Sequence, residues 1–338
     1  MRQRITPINF IKKNWLLSGI LFCILLAALF PKFGSKEGPL KTEYSVKYGA
    51  VSLMFLISGF SLKTDSIFDT FGRYRLHLFI QIFTFVFVPI YTQCFVKFLS
   101  IFGINGWILK GLITVACMPP PVSSAVILTR AAQGNETVAI FNSVVGSFLG
   151  IIITPILLLF NLGSTTIVPL FGTVRQLTIT VLLPLILGQF LKIFSNIKGH
   201  RLPLNSISQG ALLFVIYTTF CDTFLVPETG LSALDVIFTI FSVMLLQVVL
   251  LTLSFKIANY FKQSFHPSDV IAIVFCATHK SLTLGIPILR IMFHGYSHLS
   301  QISLPLLIYH PTQIILGGLL VSQLKDWLQS KKNKKLPV

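Results

Sequence analysis

A histidine and a lysine stand next to each other in the middle of a long apolar run. His279 and Lys280 belong to the string CATHKSLTLGIPILR, Cys276–Arg290, and the surrounding sequence is largely apolar from Val270 to Phe293. An ammonium group near the centre of a membrane helix costs about 2.5–3.5 kcal/mol on insertion scales, so Lys280 must face a cavity or a partner. We interpret it as part of an ion or substrate site, with a structural ion pair as the alternative. His279 is either a member of that site or a neutral hydrogen-bonding residue of the core.

A second group of polar side chains lies in another apolar run. Asn142 and Gly146 are four residues apart, as are Ser143 and Ser147, which places all four on one side of a helix. Small residues and serines alone are typical of helix–helix packing in membranes. Asn142 carries four hydrogen-bonding sites, and this favours a polar site. Both interpretations are left open.

Three consecutive prolines, Pro119, Pro120 and Pro121, occupy a third apolar run. They remove three backbone donors and clash with the preceding turn, so an uninterrupted helix through them is excluded. Because lipid offers no donor, the freed carbonyl groups must meet protein, water or an ion. We predict a broken helix here, with a purely structural proline kink as the alternative. Pro287 is predicted to mark the corresponding break in the run that holds Lys280.

The composition indicates that these groups lie inside a membrane. Of the 338 residues, 54% are hydrophobic and 11% are charged, whereas about 25% are charged in soluble domains. A membrane span needs about 20 apolar residues, and we predict an all-α polytopic membrane protein with ten transmembrane helices. The predicted spans are Trp15–Phe30, Tyr48–Leu62, Leu78–Leu99, Ile108–Leu128, Val138–Leu162, Leu177–Phe194, Gln209–Leu225, Leu234–Phe255, Val270–Phe293 and Ile302–Leu324.

The net charge of +17 follows membrane topology, and we expect no nucleic-acid partner. When the loops are assigned alternately to two sides, the side with both termini holds about 18 of the 27 Lys and Arg, and the other side about 7. Basic loops are cytoplasmic, so both termini are predicted to be cytoplasmic. The basic tail, residues 331–338, is expected to meet anionic membrane lipid.

The sequence lacks the motifs of several other function classes. It contains no P-loop and no glycine fingerprint, and it has no HExxH or comparable ligand spacing, so neither a nucleotide nor a metal site is predicted. An intramembrane enzyme would need a nucleophile–base pair or an acidic dyad, which Asp222 alone does not supply. We therefore expect no enzymatic activity and no cofactor.

Two of the apolar stretches are similar to each other. CMPPPVSSAVILTR, Cys117–Arg130, and CATHKSLTLGIPILR, Cys276–Arg290, both begin with Cys, contain small or hydroxylated residues and proline, and end on Arg. Each lies in the fourth span of its half of the chain. Secondary transporters often consist of two inverted repeats, each with one broken helix. We predict such repeats over residues 1–162 and 163–330.

A longer set of segments resembles the sodium/bile-acid cotransporter family over nearly the whole chain. The segments are ISGFSLKTDSI (57–67), LHLFIQIFTF (76–85), CMPPPVSSAVILTRAAQGNETVAIFNSVVGSFLGIIITP (117–155), YTTFCDTF (217–224), CATHKSLTLGIP (276–287) and LPLLIYHPTQIILG (304–317). The resemblance implies a core domain of spans three to five and eight to ten and a panel domain of the other four. Broken spans four and nine would cross in the core.

The resemblance also implies an ion site at this crossing, where bacterial members of the family hold sodium. The candidate substrate- or ion-binding residues are Ser123, Ser124, Asn142, Ser143, Thr278, His279, Lys280 and Ser281. Span nine departs from the family pattern, since Phe275 stands in place of a glutamate, His279 of a glutamine and Lys280 of an asparagine. The crossing is therefore more positive by about two charges, which opposes sodium binding. Sodium remains an open question, and bile acid is not the expected substrate.

Two hypotheses follow for Lys280. In the first, its ammonium stands where a sodium ion lies in relatives and holds the crossing helices together. In the second, it binds an anionic small-molecule substrate, helped by the half-helix N-terminus at the Pro119–Ser123 break.

The resemblance implies a solute carrier that works by alternating access. One branch of the family is associated with cellular calcium homeostasis and with glycosaminoglycan and glycoprotein production in the secretory pathway. We therefore expect residence in the plasma membrane, the endoplasmic reticulum or the Golgi apparatus. The alternative is a membrane regulator that transports nothing and binds a calcium channel or store sensor.

Overall fold

The computed structural model describes residues 15–35, 37–61, 72–162, 175, 178–194, 203–225, 232–261, 264–293 and 298–333. Within these ranges the regular structure is helical and no strand occurs. The helices are, in chain order, α1 (Trp15–Leu29), α2 (Pro31–Gly34), α3 (Thr42–Tyr44), α4 (Val51–Ser61), α5 (Tyr74–Ile82), α6 (Val88–Ser100), α7 (Gly106–Cys117), α8 (Val122–Ala131), α9 (Glu136–Leu162), α10 (Leu183–Phe194), α11 (Leu204–Phe224), α12 (Ala233–Tyr260), α13 (Pro267–Thr278), α14 (Leu282–Met292) and α15 (Leu299–Asn333). Short π-helical turns, Ser45–Ala50, Phe83–Phe87 and Thr178–Leu182, lead directly into α4, α6 and α10.

Five helical segments of the described chain are long and apolar enough to cross a membrane. They are Tyr74–Ser100, Glu136–Leu162, Leu234–Tyr260, Pro267–Met292 and Leu299–Lys331. Shorter apolar helices cover Ser18–Leu29, Tyr48–Ile57, Gly106–Cys117, Thr178–Phe194 and Ser206–Cys221. The prediction of an all-helical, polytopic membrane protein is confirmed for these residues. Ten spans and two inverted repeats remain predictions.

The chain forms two compact units. The first unit comprises Met1–Leu62, Phe171–Gly230 and Phe293–Ser300. It contains predicted spans one, two, six and seven, which the resemblance assigns to the panel domain. Within it, α4 and α10 pack backbone to backbone through Gly59 and Gly188. A Cβ atom on either glycine would collide with a carbonyl oxygen of the facing helix, so only glycine permits this close approach.

The second unit comprises Lys63–Leu170, Leu231–Met292 and Gln301–Val338, the segments that the resemblance assigns to the core domain. Its segment Pro267–Met292 is the most enclosed of the five long segments. Of its most apolar window, 94% is buried, against 39–44% in the other four. This segment, which holds Lys280, is therefore surrounded by protein.

Candidate functional site

The first interruption of a helix in the second unit lies at the three prolines. α7 ends at Cys117, Met118 has an extended backbone (φ −73°, ψ 148°), and so has Pro121 (φ −81°, ψ 143°). α8 begins at Val122. We call residues 118–121 the proline break.

The second interruption lies at the lysine. α13 ends at Thr278, His279 has an extended backbone (φ −74°, ψ 145°), and α14 begins at Leu282. We call residues 279–281 the lysine break. The Ser281 N–H donates to the carbonyl oxygen of Pro119 at 2.8 Å, so the two breaks are in direct contact.

Pro287 lies inside α14 and does not mark the break, contrary to the interpretation of the sequence. The hydroxyl oxygen of Ser281 accepts a hydrogen bond from the Leu284 N–H at 3.2 Å, which caps the first turn of α14. The helix therefore begins directly after Ser281 and continues through the proline, which removes only one backbone donor from it.

The proline break leaves a run of carbonyl groups without their usual helical donors, because Pro119, Pro120 and Pro121 carry no N–H. Each of the five carbonyl oxygens from Ala116 to Pro120 nevertheless accepts a hydrogen bond from another part of the unit. Lys280 Nζ donates to Ala116 (2.8 Å) and Met118 (2.9 Å), Thr154 Oγ1 to Cys117 (2.8 Å), Ser281 N to Pro119 (2.8 Å) and Ser147 Oγ to Pro120 (3.4 Å). Protein groups therefore satisfy this helix end.

Lys280 is fully buried, with a relative exposure of 0%. Its Nζ also donates to the carbonyl oxygen of Thr84 at 3.2 Å, in the π-helical turn between α5 and α6. An ammonium has three N–H donors, and three carbonyl oxygens receive them. The ion pairs within the described residues are Arg73–Asp269 and Arg130–Glu136. A structural ion pair, the alternative drawn from the sequence, is therefore wrong for this part of the chain.

The backbone of the lysine break is held by α15, which the interpretation of the sequence missed. The Lys280 N–H donates to Gln313 Oε1 at 2.7 Å, and Gln313 Nε2 donates to the Lys280 carbonyl oxygen at 3.0 Å. Tyr309 Oη donates to the Thr278 carbonyl oxygen at 2.7 Å. The spacing of four residues between Tyr309 and Gln313, which places both on one helix face, was the available signal.

Two glycines of α9 explain why this helix packs directly on the prolines. A Cβ atom on Gly146 would lie 2.5 Å from Cγ of Pro120, and one on Gly150 would collide with the Pro119 ring. Gly146 and Gly150 are four residues apart and share a helix face. This close approach brings the hydroxyls of Ser147 and Thr154 to the carbonyl groups of the proline break.

The structure brings Ser124, His279, Lys280 and Ser281 to the two breaks. Ser124 Oγ lies 3.4 Å from His279 Nδ1. His279 Nε2 is buried and has no hydrogen-bond partner among the described residues. Thr278 Oγ1 donates to the carbonyl oxygen of Val274 in its own helix at 2.6 Å, so this bond does not link α13 to another helix. The side chain of Ser123, which is also predicted to bind, lies outside the described part of the chain.

Asn142 and Ser143 form a neighbouring polar group. Asn142 Nδ2 lies 2.9 Å from His77 Nδ1, and Gln81 Nε2 donates to the Asn142 carbonyl oxygen at 3.2 Å. Ser143 Oγ lies 3.8 Å from Cys276 Sγ. Through these contacts the two residues link α9 to α5 and α13. The sequence did not reveal His77 and Gln81 as partners.

The described residues contain no group of three or more His, Cys, Asp and Glu side chains that could hold a metal ion. His310 Nδ1 lies 3.1 Å from Gln313 Nε2, so this histidine contributes to the anchoring of α15 at the lysine break. The side chain of Asp222 lies outside the described part of the structure.

A buried carboxylate anchors the beginning of α13, and the interpretation of the sequence missed it. Arg73 Nη1 donates to both oxygens of Asp269, at 3.0 Å and 2.9 Å, and Asn135 Nδ2 donates to Asp269 Oδ1 at 2.7 Å. Asp269 also lies in the first turn of α13, where a negative charge favours the helix. Arg73 is 196 residues away in sequence, so no local pattern could predict the pair.

Comparisons with known proteins show the family of the chain. The family model described as the SBF-like CPA transporter family matches residues 14–326. Sodium/bile acid cotransporter 7-B of Xenopus laevis is 49% identical over 324 residues, which are 95% of this chain and 94% of that protein. Sodium/bile acid cotransporter 7 of Rattus norvegicus is 48% identical, with 95% of each chain covered. Solute carrier RCH1 of Candida albicans is 26% identical, covering 96% of this chain and 91% of its own. The chain therefore belongs to the SBF-like CPA transporter family and is a multi-pass membrane protein.

Proposed function

We propose that the protein is a secondary carrier in which the Lys280 ammonium takes the place of a sodium ion between two broken helices. The observation that supports this proposal is the set of three bonds from the buried Nζ to the carbonyl oxygens of Thr84, Ala116 and Met118. Secondary transporters use unwound carbonyls and the C-terminal ends of half-helices to coordinate cations. The side chain therefore places a covalently attached cation among groups that would suit a free one.

A sodium ion next to this ammonium would be repelled. Two unit charges 4 Å apart interact by about 4 kcal/mol at an effective dielectric constant of about 20. No carboxylate of the described chain lies within ion-pair distance of Lys280 to offset the repulsion. The negative C-terminal end of α7, which favours a cation, already receives the ammonium. Transport is therefore proposed to need no sodium ion at this place.

The contacts favour the tethering hypothesis over direct binding of an anionic substrate by Lys280. All three Nζ donors are directed to backbone carbonyls, and the residue has no exposed surface. An anion would have to displace a carbonyl group that then loses its donor, which costs about 1–3 kcal/mol for a buried group. The substrate itself is proposed to bind elsewhere, and it is proposed not to be a bile acid.

The proposal includes the finer arrangement that the sequence indicates. It comprises ten spans in inverted repeats 1–162 and 163–330, cytoplasmic termini, and alternating access by movement of the core relative to the panel. The resemblance supports residence in the plasma membrane, the endoplasmic reticulum or the Golgi apparatus, and a role in calcium homeostasis and in glycosaminoglycan and glycoprotein production.

The proposal is tested by bile-acid uptake into proteoliposomes that contain the full chain. We expect an inward sodium gradient to produce no more taurocholate uptake than a potassium gradient or protein-free liposomes. Sodium-dependent taurocholate uptake by the natural protein would overturn the proposal. Such uptake requires a sodium site and a bile-acid substrate, and the proposal excludes both.

A second assay separates the carrier from a regulator that transports nothing. Cells lacking the protein are complemented with the natural chain or with Lys280→Met at matched membrane abundance, and cytosolic calcium is recorded. A carrier requires Lys280, so the variant should fail to restore calcium levels. Full restoration would favour the regulator that binds a calcium channel or store sensor.

A further inference from the structure

An apolar groove of about 390 Å³ runs between α12 and α15, within the second unit. Val248 and Thr252 line it on the α12 side, Leu320 and Trp327 line it on the α15 side, and Val274 of α13 forms part of its floor. The Thr252 hydroxyl donates to the Val248 carbonyl oxygen at 2.8 Å, so it is satisfied within its own helix. The lining also includes Gln323 of α15, and the remaining surface is mainly apolar.

The length of the groove matches one leaflet of a membrane. Its lining on α15 extends from Leu316 to Trp327, a distance of about 16 Å at about 1.5 Å per residue. The hydrocarbon core of a bilayer is about 30 Å thick, so one leaflet contributes about 15 Å. An acyl chain that follows the groove would reach from the middle of the membrane to its interface.

One end of the groove is closed by aromatic rings and flanked by lysines. Phe255 and Trp327 meet edge to face, with ring centroids 5.1 Å apart. Lys256 follows Thr252 by four residues and Lys331 follows Trp327 by four, so both continue the helix faces that line the groove. Aromatic rings and basic residues together are typical of the membrane interface. The topology predicted from the charge distribution, with cytoplasmic termini, puts this end at the cytoplasmic leaflet, which carries the anionic lipids.

We propose that this groove binds one acyl chain of an anionic phospholipid whose headgroup lies between Lys256 and Lys331. Its volume lies in the range of small-molecule sites, about 300–1,000 Å³, and suits an extended chain. Complementary charge selects the headgroup, because two ammonium groups attract a lipid with a net negative charge more than a zwitterionic one.

The bound lipid would act on the candidate site through α13. Val274 is 1% exposed and precedes Thr278, the last residue of α13, by one turn. A chain in the groove would touch α13 at Val274 alone, because the rest of this helix is covered by protein. Lipid occupancy is therefore proposed to support the packing of α12 and α15 around α13, and it does not depend on which substrate is carried.

The proposal is tested by native mass spectrometry of the full chain in detergent with equimolar dioleoyl phosphatidylserine and dioleoyl phosphatidylcholine. We expect phosphatidylserine adducts to dominate. Lys256→Gln combined with Lys331→Gln should lower this preference about fivefold for each lysine removed. Thr252→Phe should fill the groove and reduce retention of both lipids.

Two control variants distinguish a specific site from general lipid adhesion. Lys325→Gln removes a charge from α15 outside the groove, and Leu245→Phe enlarges an exposed residue of α12 outside it; both should leave lipid binding unchanged. Equal retention of the two lipids by the natural chain would overturn the proposal. So would controls as harmful as the groove variants, an unchanged preference in the double lysine variant, or a dimer of the chain in place of lipid adducts.

Discussion

The proline break and the lysine break lie in contact in the second unit, but the chain interrupts its helices there by different means. At the proline break the cause is local, because Pro119, Pro120 and Pro121 cannot donate hydrogen bonds. At the lysine break no residue forces the helix to stop, and Pro287 lies inside α14. There Gln313 binds the N–H and the carbonyl group of Lys280, and the Lys280 ammonium binds three backbone carbonyl groups. These bonds hold the backbone extended, because a continuous helix would use the same N–H and carbonyl group within itself. The proline break leaves carbonyl oxygens without helical donors, and Lys280 and Ser281 of the lysine break donate hydrogen bonds to some of them.

The largest effect is expected when the Lys280 ammonium, which donates hydrogen bonds to the proline break, is removed. Lys280→Met keeps most of the side-chain volume but leaves the carbonyl groups of Thr84, Ala116 and Met118 without their donor. Removal of one partner of a buried charged interaction costs about 3–5 kcal/mol, and we expect this loss in the free energy of unfolding, measured by detergent titration.

Lys110→Met is the matched control for the lysine variant. Lys110 Nζ lies 4.2 Å from the centroid of the Trp107 ring, and such a partly exposed contact is worth about 0.5–1 kcal/mol. If both variants lost the same small amount of stability, Lys280 would not join the two breaks.

The next loss is expected from the residue that holds the extended backbone. Gln313→Leu leaves the N–H and the carbonyl group of Lys280 buried and without partners. At about 1–3 kcal/mol for each of these two groups, the expected loss is about 2–6 kcal/mol in the same titration. Gln329→Leu, an exposed position of α15, should change stability by less than about 0.5 kcal/mol. Equal values for the two variants would contradict the role of Gln313.

The close approach of α9 to the prolines is tested by adding one methyl group. Gly150→Ala should destabilise the protein by about 1–3 kcal/mol because the new Cβ overlaps the Pro119 ring. Gly318→Ala, where no atom lies within 4 Å, should instead raise stability by up to about 1 kcal/mol through helix propensity. The sign of the difference in thermal midpoint is the measurement, and a rise in both variants would contradict the packing.

The smallest effects concern the hydroxyl donors of the proline break. Thr154→Val removes the 2.8 Å bond to Cys117 without changing the shape of the side chain, and should cost about 1–2 kcal/mol. Ser147→Ala removes a longer bond of 3.4 Å to Pro120, and should cost less than Thr154→Val. A reversed order in the thermal midpoints would show that bond length does not rank these donors.

Sequence reasoning reached the local features of this site and missed the distant ones. The effect of the prolines could be predicted from the local sequence because their missing donors act within one turn. A partner for Lys280 could also be predicted, because a buried charge needs one. The identity of that partner could not be predicted, since the carbonyl oxygens of Thr84 and Ala116 lie 196 and 164 residues away in sequence. Backbone carbonyls carry no residue signature, and Gln313 looks like any polar residue of a helix.

The central claim is that Lys280 stands in place of a sodium ion, and one measurement addresses it directly. The thermal unfolding midpoint of the purified protein is titrated with sodium against choline, for the natural chain and for Lys280→Ser. A ligand that binds only the folded state raises the midpoint by mass action. The account predicts no sodium-specific rise in the natural chain, and a lowered midpoint that sodium partly restores in the variant, whose freed carbonyl groups can bind the ion. A sodium-specific rise in the natural chain would contradict it.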